Sequence, residues 1–300
     1  MNRRRLDAEL VRRKIAPSRE AAQRLIADGV VLVGGAVADK AARQVGAGEA
    51  IRLLGPRPRY VSRAGLKLEA ALDRFGIDPR GLRCLDAGSS TGGFTDCLLQ
   101  RGAAHVTAVD VGTHQLHERL RGHDRVSVRE QTDVRRLVLA EGEPRFDLIV
   151  GDLSFISLRL VVPALTSLAR PEAPMALLIK PQFEAGRQEA SKGKGVISDP
   201  AIWRRVIHEV ELAARSARAA MLGIMPSPIT GSTGNVEFIG HFVCAPATDQ
   251  AIDHAIDHAI DRAIDRAIDE ASVLVGGEGA DPAVAEASQD AKLPDPGTSA

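Results

Sequence analysis

The sequence predicts an α/β protein built on a doubly wound, mainly parallel sheet, with a small α+β unit before it and a low-complexity tail after it. Three observations carry this. Apolar strands alternate with amphipathic helices between residues 64 and 245, the first 55 residues hold a separate helix–hairpin pattern, and the composition changes abruptly at Gln250. The expected divisions are a first unit at 1–55, a linker at 56–63, the sheet domain at 64–245 and a tail at 246–300. With 44% hydrophobic residues in a chain of 300, there is enough apolar surface to bury a full core.

Taken in order, Leu6, Leu10, Val11 and Ile15 share one face of a first helix. Pro17 breaks it and Ser18 caps a second helix, with Ala21, Ala22, Leu25 and Ile26 on its apolar face and Asp28-Gly29 at its end. Val30–Val33 and Ala36–Val37 flank Gly34-Gly35 as a tight hairpin, and Ala50–Leu54 adds one more strand. Prolines 56 and 58 make a short, stiff linker. Strands then follow at Leu82–Asp86, His105–Asp110, Val126–Glu130, Phe146–Asp152, Met175–Lys180, Met221–Ile224 and Val236–Val243. Helices fall near Leu66–Phe75, Phe94–Arg101, Gln115–Arg121, Leu158–Ala169 and Pro200–Ala219. In such a sheet the ligand crevice lies at the carboxyl ends of the strands, where the strand order reverses. From 251 to 270 the chain repeats Ala-Ile-Asp-X; a four-residue period drifts about 40° per repeat around a helix, so isoleucine would make a slowly winding stripe. Residues 276–300 read as disordered, and the tail as dispensable for chemistry.

The net charge of zero hides a gradient. Residues 1–63 carry 14 Lys/Arg against 6 Asp/Glu, and residues 246–300 carry 3 against 12. A basic module of this kind suits a polyanionic partner. Cys84, Cys97 and Cys244 fit no metal spacing and read as buried thiols in a reducing compartment. No metal site is expected. No apolar run approaches the roughly 20 residues that span a bilayer, and the basic N-terminus lacks the apolar core of a signal peptide. These features predict a cytoplasmic protein with no membrane contact.

The richest motif is Asp86-Ala87-Gly88-Ser89-Ser90-Thr91-Gly92-Gly93-Phe94, where the first strand of the large domain meets a helix. Its glycine spacing is not the G-x-G-x-x-G of a dinucleotide site, and no Lys-Ser/Thr pair follows as in a P-loop. It resembles the first motif of S-adenosylmethionine-dependent methyltransferases. That resemblance makes Asp86, Gly88, Ser89, Gly92, Gly93 and Phe94 candidates to hold the methionine end of the cofactor. Asp110, ending the next strand, is placed to accept from a ribose diol. Asp133, near the end of the third strand segment, is a weaker candidate to accept from an adenine amino group.

Four more charges sit where a charge needs a reason: Lys67 in the first helix of the large domain, Asp152 and Lys180 at strand ends, and Glu237 leading into the last strand. Tyr60–Leu68, Asp152-Leu153-Ser154-Phe155-Ile156-Ser157 and Lys180-Pro181-Gln182-Phe183-Glu184, together with the glycine motif, resemble the TlyA/haemolysin-A family. Arg5 through Gly35 resembles an S-four-type RNA-binding domain. The likeness runs from about residue 4 to 245, and the repeat tail departs from it. The resemblance implies a Rossmann-like, FtsJ-like domain that methylates ribose 2′-oxygens in ribosomal RNA, with S-adenosylmethionine as cofactor and cytidine as the nucleotide. It also implies a tetrad of Lys67, Asp152, Lys180 and Glu237, with Asp152 also bordering the cofactor. Chemically, a 2′-hydroxyl is a poor nucleophile and needs a base. Lys180 is the expected base, its charged form disfavoured by the nearby Lys67, and the two carboxylates balance charge.

Ribosomal RNA or a ribosomal subunit is thus the expected partner. Arg4, Arg5, Arg12, Arg13, Lys14, Arg19 and Arg24 crowd the first two helices, and Arg59 and Arg63 extend the basic run through the linker. Without interleaved aromatics, this module suits structured RNA read by shape and phosphate. Three other readings stand beside this one. A binding protein with a catalytically weak domain is disfavoured by the filled tetrad, and a membrane-active haemolysin by the lack of a spanning segment. A small-molecule or protein methyltransferase leaves the basic unit unexplained.

Overall fold

A computed structural model describes residues 3–27, 29–54, 59–193, 195–231, 233–244 and 254–276. The prolines of the linker, the Gln250 composition break and the 277–300 stretch expected to be disordered lie outside the described residues. Two compact units divide the chain between Arg59 and Tyr60.

The first unit contains β1 (Arg4–Arg5), α1 (Leu6–Arg12), α2 (Arg19–Ala27), β2 (Val31–Val33), β3 (Ala36–Val37), β4 (Gln44–Val45) and β5 (Ile51–Leu53). Leu6, Leu10, Ala22, Ile26, Val31, Val33 and Val45 form its core. Ser18 caps α2, its hydroxyl accepting from Ala21 N at 3.1 Å, and Gly34 and Gly35 both take positive φ in the β2–β3 hairpin. The β1–β4 pair was not expected from sequence: two-residue strands carry no periodicity, and their pairing across forty residues is purely tertiary.

Two buried carboxylates organise the basic surface of this unit. Asp7 receives Arg5 at 2.9 Å, Arg19 at 3.1 Å and Gln23 at 3.0 Å. Glu9 receives Arg12 at 2.6 Å and Arg13 at 2.8 Å. Hydrogen bonds from the arginines hold both carboxyls below their ordinary range, Glu9 at about 2. The stability they contribute is complete above about pH 4, the unfolded value, and is lost as pH falls through the folded values. Hydrogen exchange of the full chain should show α1 and α2 opening between about pH 4 and pH 2 while they stay protected at neutral pH.

The second unit runs α3 (Ala64–Phe75), β6 (Arg83–Ala87), α4 (Gly93–Gln100), β7 (His105–Val109), α5 (Glu118–Arg121), β8 (Val126–Arg129), β9 (Leu148–Gly151), α6 (Val162–Leu168), β10 (Pro174–Ile179), α7 (Pro181–Glu184), α8 (Arg187–Lys192), α9 (Pro200–Ser216), β11 (Ala219–Pro226), β12 (Phe238–Cys244) and α10 (His254–Gly276). Its seven-stranded sheet has the order β11-β12-β10-β9-β6-β7-β8. Strands β8 through β10 are parallel, and β12 runs antiparallel between β10 and β11. Residues alternate between two cores. Leu85, Ile149, Leu177 and Phe238 face one side with α6 and α9, while Cys84, Val150, Leu178 and Ile239 face the other with α3 and α4. The chain turns to opposite sides of β6 at β7 and β9, so the switch point lies at the carboxyl ends of β6 and β9.

Two expectations need correction, and the repeat segment adds a contact that its sequence does not show. The α9 helix stops at Ser216 rather than Ala219, because Arg218 adopts φ +63° and Ala219 pairs with Cys244 in the sheet. The expected helix at Leu158–Ala169 is a short 3-10 turn at Leu158–Leu160 followed by α6. The repeat segment is a helix docked on the domain, α10, with Ile260, Ile264, Ala267, Ile268 and Ala271 buried in the same core as Trp203 and Phe242. The winding stripe of a four-residue repeat is enough to bury one face over the length of three repeats.

Candidate active site

Strand register brings the strand-end charges together. Ala87 pairs with Gly151, so Gly88 and Asp152 leave the sheet side by side at the switch point. Ile179 pairs with Phe238, so Lys180 and Glu237 leave it opposite one another. Lys180 Nζ lies 2.6 Å from Asp152 Oδ1 and donates to Ser154 Oγ at 2.8 Å. Lys67, on the sheet-facing side of α3, donates to Glu237 Oε2 at 2.5 Å. Both lysines and Glu237 are buried. The arrangement is two ion pairs, in which Asp152 balances Lys180 and Glu237 balances Lys67. Gln182 adds a weak 3.4 Å hydrogen bond to the second oxygen of Glu237.

The glycine motif differs in its reason. Gly88 lies at φ +85°, where a Cβ would stand 2.7 Å from the Asp152 carbonyl oxygen, and a Cβ on Gly93 would run into Ser62 Oγ. These glycines are required first by the chain's own close packing between β6, β9 and the start of α3. Gly92 is the left-handed N-cap of α4. Ser89 is buried in the same turn, its N–H bonded to Val109 O at 3.0 Å. The Phe94 ring is a core side chain, 3% exposed among the α3–α4 apolar residues, so only its backbone faces the loop.

Asp86 is fully buried. Its Oδ2 accepts from Thr95 Oγ1 at 2.6 Å, and its Oδ1 has no hydrogen-bond partner among the described residues. Burial, reinforced by the charges of Asp152 and Asp110, pushes its carboxyl up to about 7. The folded chain therefore keeps this proton up to about pH 7, whereas the unfolded chain loses it near 4, so stability falls as pH rises across that window. Asp86→Asn, which mimics the neutral acid, should raise stability at pH 8 by on the order of 2–4 kcal/mol, measured by thermal melting.

Asp110 accepts from Ser90 N at 2.8 Å and Gly112 N at 2.7 Å, tying the glycine loop to the end of β7. Asp133 caps a 3-10 turn, and both its oxygens are engaged by Arg135. The adenine role expected for Asp133 therefore competes with a complete ion pair.

One residue at this rim is not among the candidates that the sequence offers. Phe155, three positions beyond Asp152, holds φ +64° and is 91% exposed, its ring 5.2 Å from that of Phe183. The signal was a phenylalanine in a surface loop directly after a strand-end aspartate. On the first unit, Arg4, Arg5, Arg12, Lys14, Arg19 and Arg24 are exposed. Arg13 is a correction: its guanidinium donates to Glu9 and to the carbonyls of Gly46, Ala47 and Glu49, an internal clamp rather than a free phosphate contact. Arg59 and Arg63 are exposed in the second basic run.

A doubly wound sheet with a glycine turn, strand-end carboxylates and a paired-lysine cluster at its switch point defines a methyltransferase-type domain. Residues 60–244 match the FtsJ-like methyltransferase model and residues 4–51 the S4 domain, and the chain belongs to the TlyA/hemolysin A family of FtsJ-like methyltransferases. It is 46% identical over 237 residues to the 16S/23S rRNA (cytidine-2′-O)-methyltransferase TlyA of Mycobacterium tuberculosis, covering 79% of this chain and 88% of that one. It is 37% identical to hemolysin A of Brachyspira hyodysenteriae, covering 80% and 99%. A solved structure from Streptococcus thermophilus that bears the hemolysin name is 34% identical with a TM-score of 0.69, covering 93% and 100%. No described helix is long and apolar enough to cross a membrane.

Proposed function

We propose that this chain transfers a methyl group from S-adenosylmethionine to a ribose 2′-oxygen of ribosomal RNA, on cytidine as the name of its M. tuberculosis relative states. The observation that carries this reading is Lys180, buried at the switch point between Asp152 and Ser154 and facing the Lys67–Glu237 pair. Bound at the glycine turn, the cofactor supplies an activated methyl group on a cationic sulfonium. The residues present suit a cation: three carboxylates, Asp86, Asp110 and Asp152, gather at the strand ends, and Asp86 keeps an unpartnered oxygen for an amino-group donor. Asp110 retains acceptor capacity for a ribose hydroxyl beside its two backbone bonds.

Once Lys180 has passed its ion-pair proton to solvent, its amine takes the proton of the 2′-hydroxyl, and Asp152 again pairs with the ammonium that results. Ser154 fixes the direction of the amine. Lys67 and Glu237 form a neutral wall on the opposite side, which orients the ribose without adding net charge. Phe155 offers an aromatic face for an unstacked target base. The exposed arginines of the first unit, with Arg59 and Arg63, hold phosphates, and the bonds to Asp7 and Glu9 preorganise several of them.

Because a cationic amine near Asp86 favours its ionised form, cofactor affinity should rise with pH up to about 7 and then level off, with proton release on binding below that pH. Calorimetry in buffers of different ionisation enthalpy measures this. The reading itself is tested by incubating the full chain with labelled S-adenosylmethionine and unmethylated ribosomal subunits. Label in RNA supports it, and cofactor binding without label in RNA contradicts it.

A further inference from the structure

Glu184 closes α7, four residues after Lys180, and neither cofactor holding nor proton transfer uses it. It is 3% exposed. Its Oε1 accepts from Leu158 N at 2.6 Å and its Oε2 from Ser157 Oγ at 2.5 Å, with Arg159 Nε at 3.4 Å. Arg159 returns a hydrogen bond to the Glu184 carbonyl at 3.1 Å and reaches Glu209 of α9 at 2.6 Å. Burial pushes the Glu184 carboxyl above its ordinary range, so the chain accepts an unfavourable environment in order to place an acceptor there.

What this acceptor grips is the loop from Asp152 to Leu158, and it grips only the far end. The near end is held by Lys180 through Asp152 and Ser154. Phe155 stands between the two anchors, with its backbone in the left-handed region that a phenylalanine rarely adopts and its ring turned out to solvent. A strained residue persists where its surroundings over-determine it. Its neighbour ring, Phe183, precedes Glu184 in α7 and lies 5.8 Å from Lys180 Nζ by its centroid. One short helix thus carries an aromatic partner for Phe155 and the brace for its loop.

We infer that Glu184 is a positioning residue for the target nucleotide, clamping the Asp152–Leu158 loop so that Phe155 presents its face to the base whose ribose is delivered to Lys180. The inference rests on the ribose-methylation reading above. A merely structural brace would weaken the protein without caring whether Phe155 has a ring, which gives the test its form.

The variants are E184A, E184Q, F155A and the double variant E184A/F155A, in full-length protein, assayed for methyl transfer to ribosomal subunits and for S-adenosylmethionine affinity. E184A should lower kcat/KM for RNA by about tenfold or more, as misplacement of a substrate-orienting group does, with cofactor affinity unchanged. E184Q, whose carboxamide can still bond Leu158 N and Ser157 Oγ, should recover most of the loss. Added to F155A, E184A should have little further effect, because the two act as one unit. Wild-type kcat/KM in E184A, or losses that multiply in the double variant, would overturn the positioning role. If E184A loses cofactor binding through misfolding, E184D takes its place in the cycle, since it keeps the charge but withdraws the carboxylate by one methylene. Absence of methyl transfer by the wild-type chain would instead overturn the ribose-methylation reading, and this inference with it.

Discussion

Lys180→Ala should lower kcat for methyl transfer by about 10³-fold, within the range that removal of a positioned general base produces, while S-adenosylmethionine affinity should stay within about threefold. The asymmetry follows from the geometry. Lys180 touches Asp152 and Ser154 on the side of the β10 strand end, whereas the glycine turn and Asp86 belong to β6 and α4. Removing the amine leaves the Asp152 carboxylate without its counter-ion but leaves the β6 turn intact. Lys180→Arg should rescue poorly, because a guanidinium keeps the charge and cannot accept a proton at neutral pH. Single-turnover assays beside calorimetric titration separate the two quantities, and equal losses in both would contradict the assignment.

Ile264→Ala should destabilise the protein by about 2–5 kcal/mol, the loss that goes with truncating a fully buried isoleucine. Ile264 is 0% exposed in the core shared by α9, β11 and β12, while Val273, in the last turns of the same helix, is 73% exposed. Val273→Ala should therefore stay within about 0.5 kcal/mol of wild type. The helix also pairs by charge with both layers of the domain, Glu270 with Arg74 of α3 and Asp265 with Arg204 of α9. It lies against β11, the edge strand, and so covers a surface that would otherwise invite pairing with another chain. Urea denaturation of the two variants measures the difference. An unchanged midpoint for Ile264→Ala would mean that the repeat helix does not dock.

That docking shows where a sequence stops being readable. The Ala-Ile-Asp-X repeat looked like a low-complexity appendage because its composition is poor, yet burial needs only one isoleucine per turn aligned with an apolar surface, and that surface is made by residues of α9, β11 and β12 that the repeat itself does not reveal. The central strands β6, β7, β9 and β10 were legible because each is a largely apolar run followed by a charge or a glycine. The same feature exposed Asp152, Lys180 and Glu237, since a charge at the end of a buried strand stands out against its neighbours. Which lysine pairs with which carboxylate was not legible, because it depends on strand register and on how α3 lies over the sheet. Arg13 illustrates the opposite failure: in sequence it is one more arginine in a basic run, and only the fold shows that its guanidinium closes on three backbone carbonyls. Glu184 and Phe155 were visible as letters of motifs, but their roles arise from a loop anchored at two ends.

Ribose methylation by Lys180 is tested most sharply by nucleoside analysis by mass spectrometry of ribosomal RNA after reaction of unmethylated subunits with the full chain and S-adenosylmethionine. The expected product is 2′-O-methylcytidine, absent when Lys180→Ala replaces the wild-type protein. A methyl group on a base instead of the ribose, or the same 2′-O-methyl yield from the Lys180→Ala variant, would contradict it.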